Sequence, residues 1–131
     1  MEKRTALVTC VQRYMGEAIK NKFEALGLEV ITGNDPITSQ EDCETLINSA
    51  GHIDILIANL AEPPMSSPVQ EIRNKDWNTL FKALADPLMY LVRAVIPQML
   101  ERKSGKIIAI TSATPLKGFP NNAAYCAARG A

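Results

Sequence analysis

The chain has 131 residues, about one domain, with 47% apolar and 21% charged side chains and 14 Lys and Arg against 14 Asp and Glu. A formal net charge of zero leaves no cationic excess to neutralise phosphates, which argues against nucleic acid or an anionic membrane as partner. The most apolar stretches, Ile53 to Ala61 and Leu88 to Leu100, are interrupted by Asp54 or Arg93 and fall short of the ~20 residues that a bilayer core demands.

Met1 to Arg4 leads into Thr5 to Cys10 without an apolar signal region, which points to a cytoplasmic protein. Thr5 to Cys10 is a β-branched run too short for a helix, and Met15 to Leu26 then sets Ile19, Phe23 and Leu26 at helical spacing before a stop at Gly27. Leu28 to Thr32 reads as a second strand and Gly33 to Pro36 as a turn. The pair Thr38 and Glu41 fits a capping box; the helix it opens carries Leu46 and Ile47 on its apolar face and ends at Gly51. Ile53 to Asn59 is a third strand, nearly continuous in apolar residues as a sheet covered on both faces requires. A proline-rich loop, Glu62 to Pro68, precedes a long helix from about Asn74 to about Arg102, whose apolar residues recur in steps of three and four from Trp77 to Met99. Pro87 should bend it, because proline lacks the backbone donor and crowds the carbonyl four residues back. Ser104 and Gly105 end that helix, and Lys106 to Thr111 is a fourth strand leading into Ser112. The alternation predicts an α/β fold with a doubly wound parallel sheet in the spatial order second, first, third, fourth strand, and a binding crevice beyond the strands' carboxyl ends.

Cys10, Cys43 and Cys126 are odd in number, scattered and without metal-ligand spacing, so reduced structural thiols are expected and no metal. Lone His52, at a helix-to-strand junction, reads as a surface residue. At the strand ends the residues carry more. Ser112 closes the fourth strand, Tyr125 follows after twelve residues, and Arg129 lies four residues further, on the same helical face as Tyr125. A hydroxyl, a phenol and a permanent cation can converge there. Singly, each has a plainer explanation: Ser112 capping a turn, Tyr125 packing with its hydroxyl on a carbonyl, Arg129 as a solvated helix cation.

Together they resemble the Ser, Tyr-x-x-x-Lys arrangement of short-chain dehydrogenases/reductases, with Arg129 standing in for lysine, and the likeness extends over nearly the whole chain. Further landmarks are the loop after the first strand, Asn59 at the end of the third, and the strand from Lys106. In that loop a dinucleotide fold needs bare glycines where a pyrophosphate approaches the backbone. Here only the last of three survives, as Gly16; Cys10 and Tyr14 hold the other two places. Asp35, about 20 residues on, could be offered as the ribose-binding acid of a dinucleotide site, but an Asp-Pro turn explains it more simply. The family's relay asparagine, four residues before Pro87, is Ala83.

Thr9, Tyr14 and Gly16, with Ser112, Tyr125 and Arg129, are similar to the motif pair of halohydrin dehalogenases, relatives of the short-chain dehydrogenases that work without a cofactor. The resemblance implies a Rossmann-like fold and a lyase that converts vicinal haloalcohols to epoxides with release of halide, and opens epoxides with small anions in reverse. In that reading Tyr125 is the base, Arg129 its activating cation and Ser112 the holder of the substrate oxygen; Thr9, Tyr14 and Gly16 line the halide and substrate pocket. A free phenol titrates at about 10, and a guanidinium ~4 Å away favours the phenolate by about 4 kcal/mol at an effective dielectric of ~20. The partners implied are a small haloalcohol or epoxide and halide, with no nucleotide, and a homo-oligomer, dimer or tetramer, formed through the surplus apolar face of the long helix. Alternatives are an NAD(P)-dependent oxidoreductase with a degenerate glycine loop and a non-catalytic interaction module. The resemblance also implies a single domain over residues 1–131 that is incomplete at its C-terminus, because relatives in this superfamily are roughly twice as long.

Overall fold

A computed structural model describes residues 3–33 and 36–131. Four parallel strands, β1 (Thr5–Thr9), β2 (Glu29–Gly33), β3 (Ile55–Asn59) and β4 (Lys106–Ile110), form one sheet in the order β2-β1-β3-β4. Parallel neighbours need crossovers, supplied here by α1 (Gly16–Ala25) between β1 and β2, α2 (Gln40–Ala50) between β2 and β3, and α3 (Asn74–Leu84) with α4 (Asp86–Arg102) between β3 and β4. Two elements follow β4: one short helical turn, α5 (Thr114–Lys117), and α6 (Ala123–Gly130). This is the doubly wound architecture that the alternation predicts. Register places Thr9 beside Gly33, and Asn59 beside Ile110, so the carboxyl ends of all four strands open on the same side.

The core forms where α2, α3, α4 and α6 bury their apolar faces over the sheet. Leu7 and Leu56 meet Ile47, Leu80, Leu91 and Val95, all 3% exposed or less. Apolar burial of this kind contributes about 25 cal/mol per Å². Tyr125 and Ala128 of α6 belong to the same cluster, so the helix bearing the phenol is anchored by core packing. β4 is an edge strand, and Ile107 and Ile108 remain 36% and 43% exposed on it.

Several boundaries differ from the sequence expectation for identifiable reasons. The capping box at α2 uses Ser39 and Asp42, one residue beyond Thr38 and Glu41: Ser39 Oγ accepts the Asp42 N–H at 3.1 Å, and Asp42 Oδ2 accepts the Ser39 N–H at 3.0 Å. Asp42 also takes the Thr38 hydroxyl and N–H, so Thr38 joins the cap from outside the helix. The long helix is two helices separated at Ala85, with Pro87 in the first turn of α4, where its missing donor costs least. α4 ends on Lys103 in the left-handed region (φ 53°), not on glycine. Gly105 has a different duty, since a Cβ there would run into the Met99 side chain. Among the described residues no helix is long and apolar enough to cross a membrane.

At the end of the sheet remote from the crevice, Asp54 ties β1 to β3: its Oδ2 accepts the Thr5 N–H at 2.8 Å and its Oδ1 lies 2.9 Å from His52 Nε2. His52 is thus a surface partner of a structural carboxylate. Arg102 and Gln98 of α4 hold Ile53 through its carbonyl and N–H.

Candidate active site

α6 brings Tyr125 and Arg129 together as the four-residue spacing requires. Arg129 Nε donates to Tyr125 Oη at 3.1 Å, and its Nη1 donates to the Ile110 carbonyl at 3.2 Å. The guanidinium carbon lies 5.4 Å from the phenol ring centroid. The Ile110 carbonyl, at the last residue of β4, therefore pins the cation against the phenol. Tyr125 is 8% exposed. The phenol oxygen thus has a permanent guanidinium as its hydrogen-bond donor. The solvated-cation and carbonyl-bonded readings do not describe this pair.

Ser112, two residues beyond β4 and half-buried, makes local hydrogen bonds. Its Oγ lies 2.9 Å from Thr114 Oγ1 and accepts the Thr114 N–H at 3.2 Å. Ser112 is thus a turn residue as well as a strand-end hydroxyl. Thr114 itself is a residue that the sequence reading missed; the available signal was the Ser-x-Thr pattern, which favours a side chain bonding the backbone two residues on. The Thr114 carbonyl accepts the Cys126 thiol at 3.5 Å, so the same residue ties the Ser112 turn to α6.

The expected pocket residues divide. Thr9 is fully buried; its hydroxyl accepts the Asn59 N–H at 3.1 Å and lies 3.4 and 3.3 Å from the Ile57 and Asn59 carbonyls. Its place is between β1 and β3, and the expectation that it lines a pocket is corrected accordingly. Gly16 is buried under its own loop: a Cβ would stand 2.5 Å from Val11 Cα and 2.6 Å from the Cys10 carbonyl. It permits close packing of α1 on the loop and forms no pocket wall. Tyr14 is 62% exposed and does not pack into the crevice. Asp35 lies outside the described residues.

The loop keeps left-handed turns at Cys10 (φ 49°) and Tyr14 (φ 50°), conformations that glycine adopts without penalty. Asn59 holds them: its fully buried amide donates to the Cys10 and Arg13 carbonyls at 3.0 and 2.9 Å, while its Oδ1 has no hydrogen-bond partner among the described residues. Arg13 N–H and Gly16 N–H bond within the loop, to the Cys10 and Arg13 carbonyls. Beyond β1 and β3 lies an open cavity of about 320 Å³, lined by Cys10, Arg13, Ile37, Leu60, Glu62 and Ala83 among others. Of the thiols, Cys43 is buried, and burial, followed by the neighbouring Asp42 and Glu44 charges, pushes it up to about 11.

A family profile described as short chain dehydrogenase matches residues 2–131. The chain belongs to the short-chain dehydrogenase family. Among its relatives, an uncharacterized oxidoreductase of Listeria innocua is 29% identical over 135 residues, covering 99% of this chain and 54% of the relative. Gluconate 5-dehydrogenase of Gluconobacter oxydans is 31% identical over 119 residues, covering 88% of this chain and 46% of the relative. The 3-oxoacyl-(acyl-carrier-protein) reductase of Rickettsia bellii is 27% identical over 147 residues, covering 96% and 61%. A solved structure named Dehalogenation enzyme superposes with a TM-score of 0.76 at 26% identity, covering 98% of this chain and 62% of that one. The chain spans about half the length of the curated relatives it matches first.

The family implies a nicotinamide dinucleotide, and the loop does not fit its pyrophosphate. Close approach to the backbone needs bare glycine, and two of the three positions carry side chains. Cys10 lines the cavity, and Tyr14 holds a left-handed position two residues before α1.

Proposed function

We propose that the site catalyses cofactor-independent dehalogenation of vicinal haloalcohols. The observation that carries this reading is the hydrogen bond from Arg129 Nε to Tyr125 Oη at 3.1 Å, in a chain whose first loop carries Cys10 and Tyr14 in left-handed conformations. Its support among solved structures is the one named Dehalogenation enzyme.

In the proposed reaction the Tyr125 phenolate takes the proton of the substrate hydroxyl while Ser112 donates a hydrogen bond to the same oxygen. The oxygen's electron pair then forms a bond to the adjacent carbon, and the carbon-halogen bond breaks with its pair leaving on the halide. The products are an epoxide and halide; the proton gained by Tyr125 passes on to water, and no electrons enter or leave. Ser112 fixes the direction of attack, because oxygen, carbon and halogen must lie nearly in line, and orientation of this kind supplies much of an enzymatic rate. The substrate would be small. We further propose a cytoplasmic homo-oligomer, dimer or tetramer, assembled through the exposed apolar residues Trp77, Met89, Ile96 and Leu100 of α3 and α4.

The names of the Gluconobacter and Rickettsia relatives support a second reading, an NAD(P)-dependent oxidoreductase acting through the same tyrosine. Halide release from a small vicinal bromoalcohol separates them. The dehalogenase reading predicts release by the wild-type chain and loss of at least about a hundredfold in Tyr125→Phe, the scale of a general base. Unchanged release in Tyr125→Phe would overturn the assigned base, and absence of release in the wild-type chain would overturn the reaction.

A further inference from the structure

The hydroxyl of Ser112 has one hydrogen to give and two lone pairs to fill. The Thr114 N–H occupies one of those lone pairs, at 3.2 Å, and Thr114 Oγ1 stands 2.9 Å away. If Ser112 spends its hydrogen on Thr114, it has none for a substrate oxygen; if Thr114 gives the hydrogen, both acceptor positions of Ser112 are filled and its own hydrogen is left free. Thr114 also touches the other half of the site. Its carbonyl accepts the Cys126 thiol at 3.5 Å, and Cys126 directly follows Tyr125 on the helix that carries Arg129. One residue therefore bonds the Ser112 turn through two atoms and the phenol-bearing helix through a third.

We propose that Thr114 is a positioning residue: its hydroxyl and N–H both donate to Ser112 Oγ, aiming the Ser112 hydrogen at the substrate oxygen, while its carbonyl holds that turn in register with α6. This inference rests on the dehalogenase reading for its catalytic consequence and on the hydrogen bonds alone for its structural one. It goes beyond the resemblance, which assigns no role to Thr114.

The two consequences are tested separately. Thr114→Val keeps the branched shape and the backbone N–H and deletes the hydroxyl; Thr114→Ser restores it. For halide release the expected result is a kcat lowered about tenfold to a hundredfold in Thr114→Val with KM within about threefold of wild type, recovered in Thr114→Ser, because a misdirected group costs rate rather than binding. The second measurement is the set of NMR couplings that report the Ser112 χ1 angle in the folded chain. One rotamer is expected in the wild type and Thr114→Ser, and averaging over rotamers in Thr114→Val. Full kcat in Thr114→Val, or an unchanged Ser112 χ1 distribution in that variant, would overturn the proposal. A wild-type chain that releases no halide sinks the dehalogenase reading instead, and the χ1 comparison still decides the role of Thr114.

Discussion

At the scale of single residues the account turns on which side chains touch chemistry and which hold the backbone. Tyr125 and Arg129 were legible because a four-residue helical spacing forces two side chains onto one face, and the structure joins them at 3.1 Å. Thr9 and Gly16 were legible as fixed positions but not as supports, since motif spacing does not say whether a hydroxyl faces a neighbouring strand or a pocket. Only pairing shows Thr9 spent on β3. Gly16→Ala is expected to destabilise the chain by about 1 to 3 kcal/mol, because the new methyl would overlap Val11 Cα and the Cys10 carbonyl, both backbone atoms; denaturant unfolding would measure it. Arg129→Lys is expected to keep charge but to slow halide release, since a lysine cannot hold the phenol and the Ile110 carbonyl with a planar fork. Equal rates in the two proteins would show that charge alone suffices. Thiol labelling of the folded chain should spare Cys43, which is buried and raised to about 11, and should reach half-buried Cys126 first.

At the scale of elements, strand order and helix placement followed from apolar period and turn residues, whereas Pro87, expected to bend one long helix, sits in the first turn of a second helix. What escaped was register within a turn. Thr38, Ser39, Glu41 and Asp42 offer two overlapping boxes, and both a hydroxyl and a carboxylate stand at each spacing; the structure uses the second. Pro97 lies inside α4 without ending it, because packing of α4 on α2 and β3 outweighs the lost hydrogen bond. α5, a single turn opened by Thr114 and Pro115, was too short for any periodic signal. Ser39→Ala should lower stability by about 1 kcal/mol, the usual worth of an N-cap hydroxyl, with α2 fraying first in amide exchange. No change in exchange at α2 would mean that Thr38 and Asp42 cap the helix by themselves.

At the scale of the whole molecule, acid stability follows from one end of the sheet. Burial favours the protonated form of Asp54, but the Thr5 N–H, His52 and Arg102 outweigh it and hold the carboxyl below its ordinary range. On acidification the unfolded chain therefore takes up this proton before the folded chain does. The resulting contribution is complete above the ordinary carboxylate value of about 4 and is lost as pH falls through the folded value. Unfolding midpoints measured from pH 6 down to pH 2 should fall below about pH 4, and less steeply in Asp54→Asn. At the other end stand an arginine-held phenol on α6 and a loop that carries Cys10 and Tyr14 in left-handed conformations. The deciding measurement is the rate of halide release from a small vicinal bromoalcohol, followed in nucleotide-free solution and again with NADPH titrated in. Release that proceeds without nucleotide and does not change on its addition is the expected result; release that is absent without nucleotide, together with saturable consumption of NADPH on a carbonyl substrate, would contradict it.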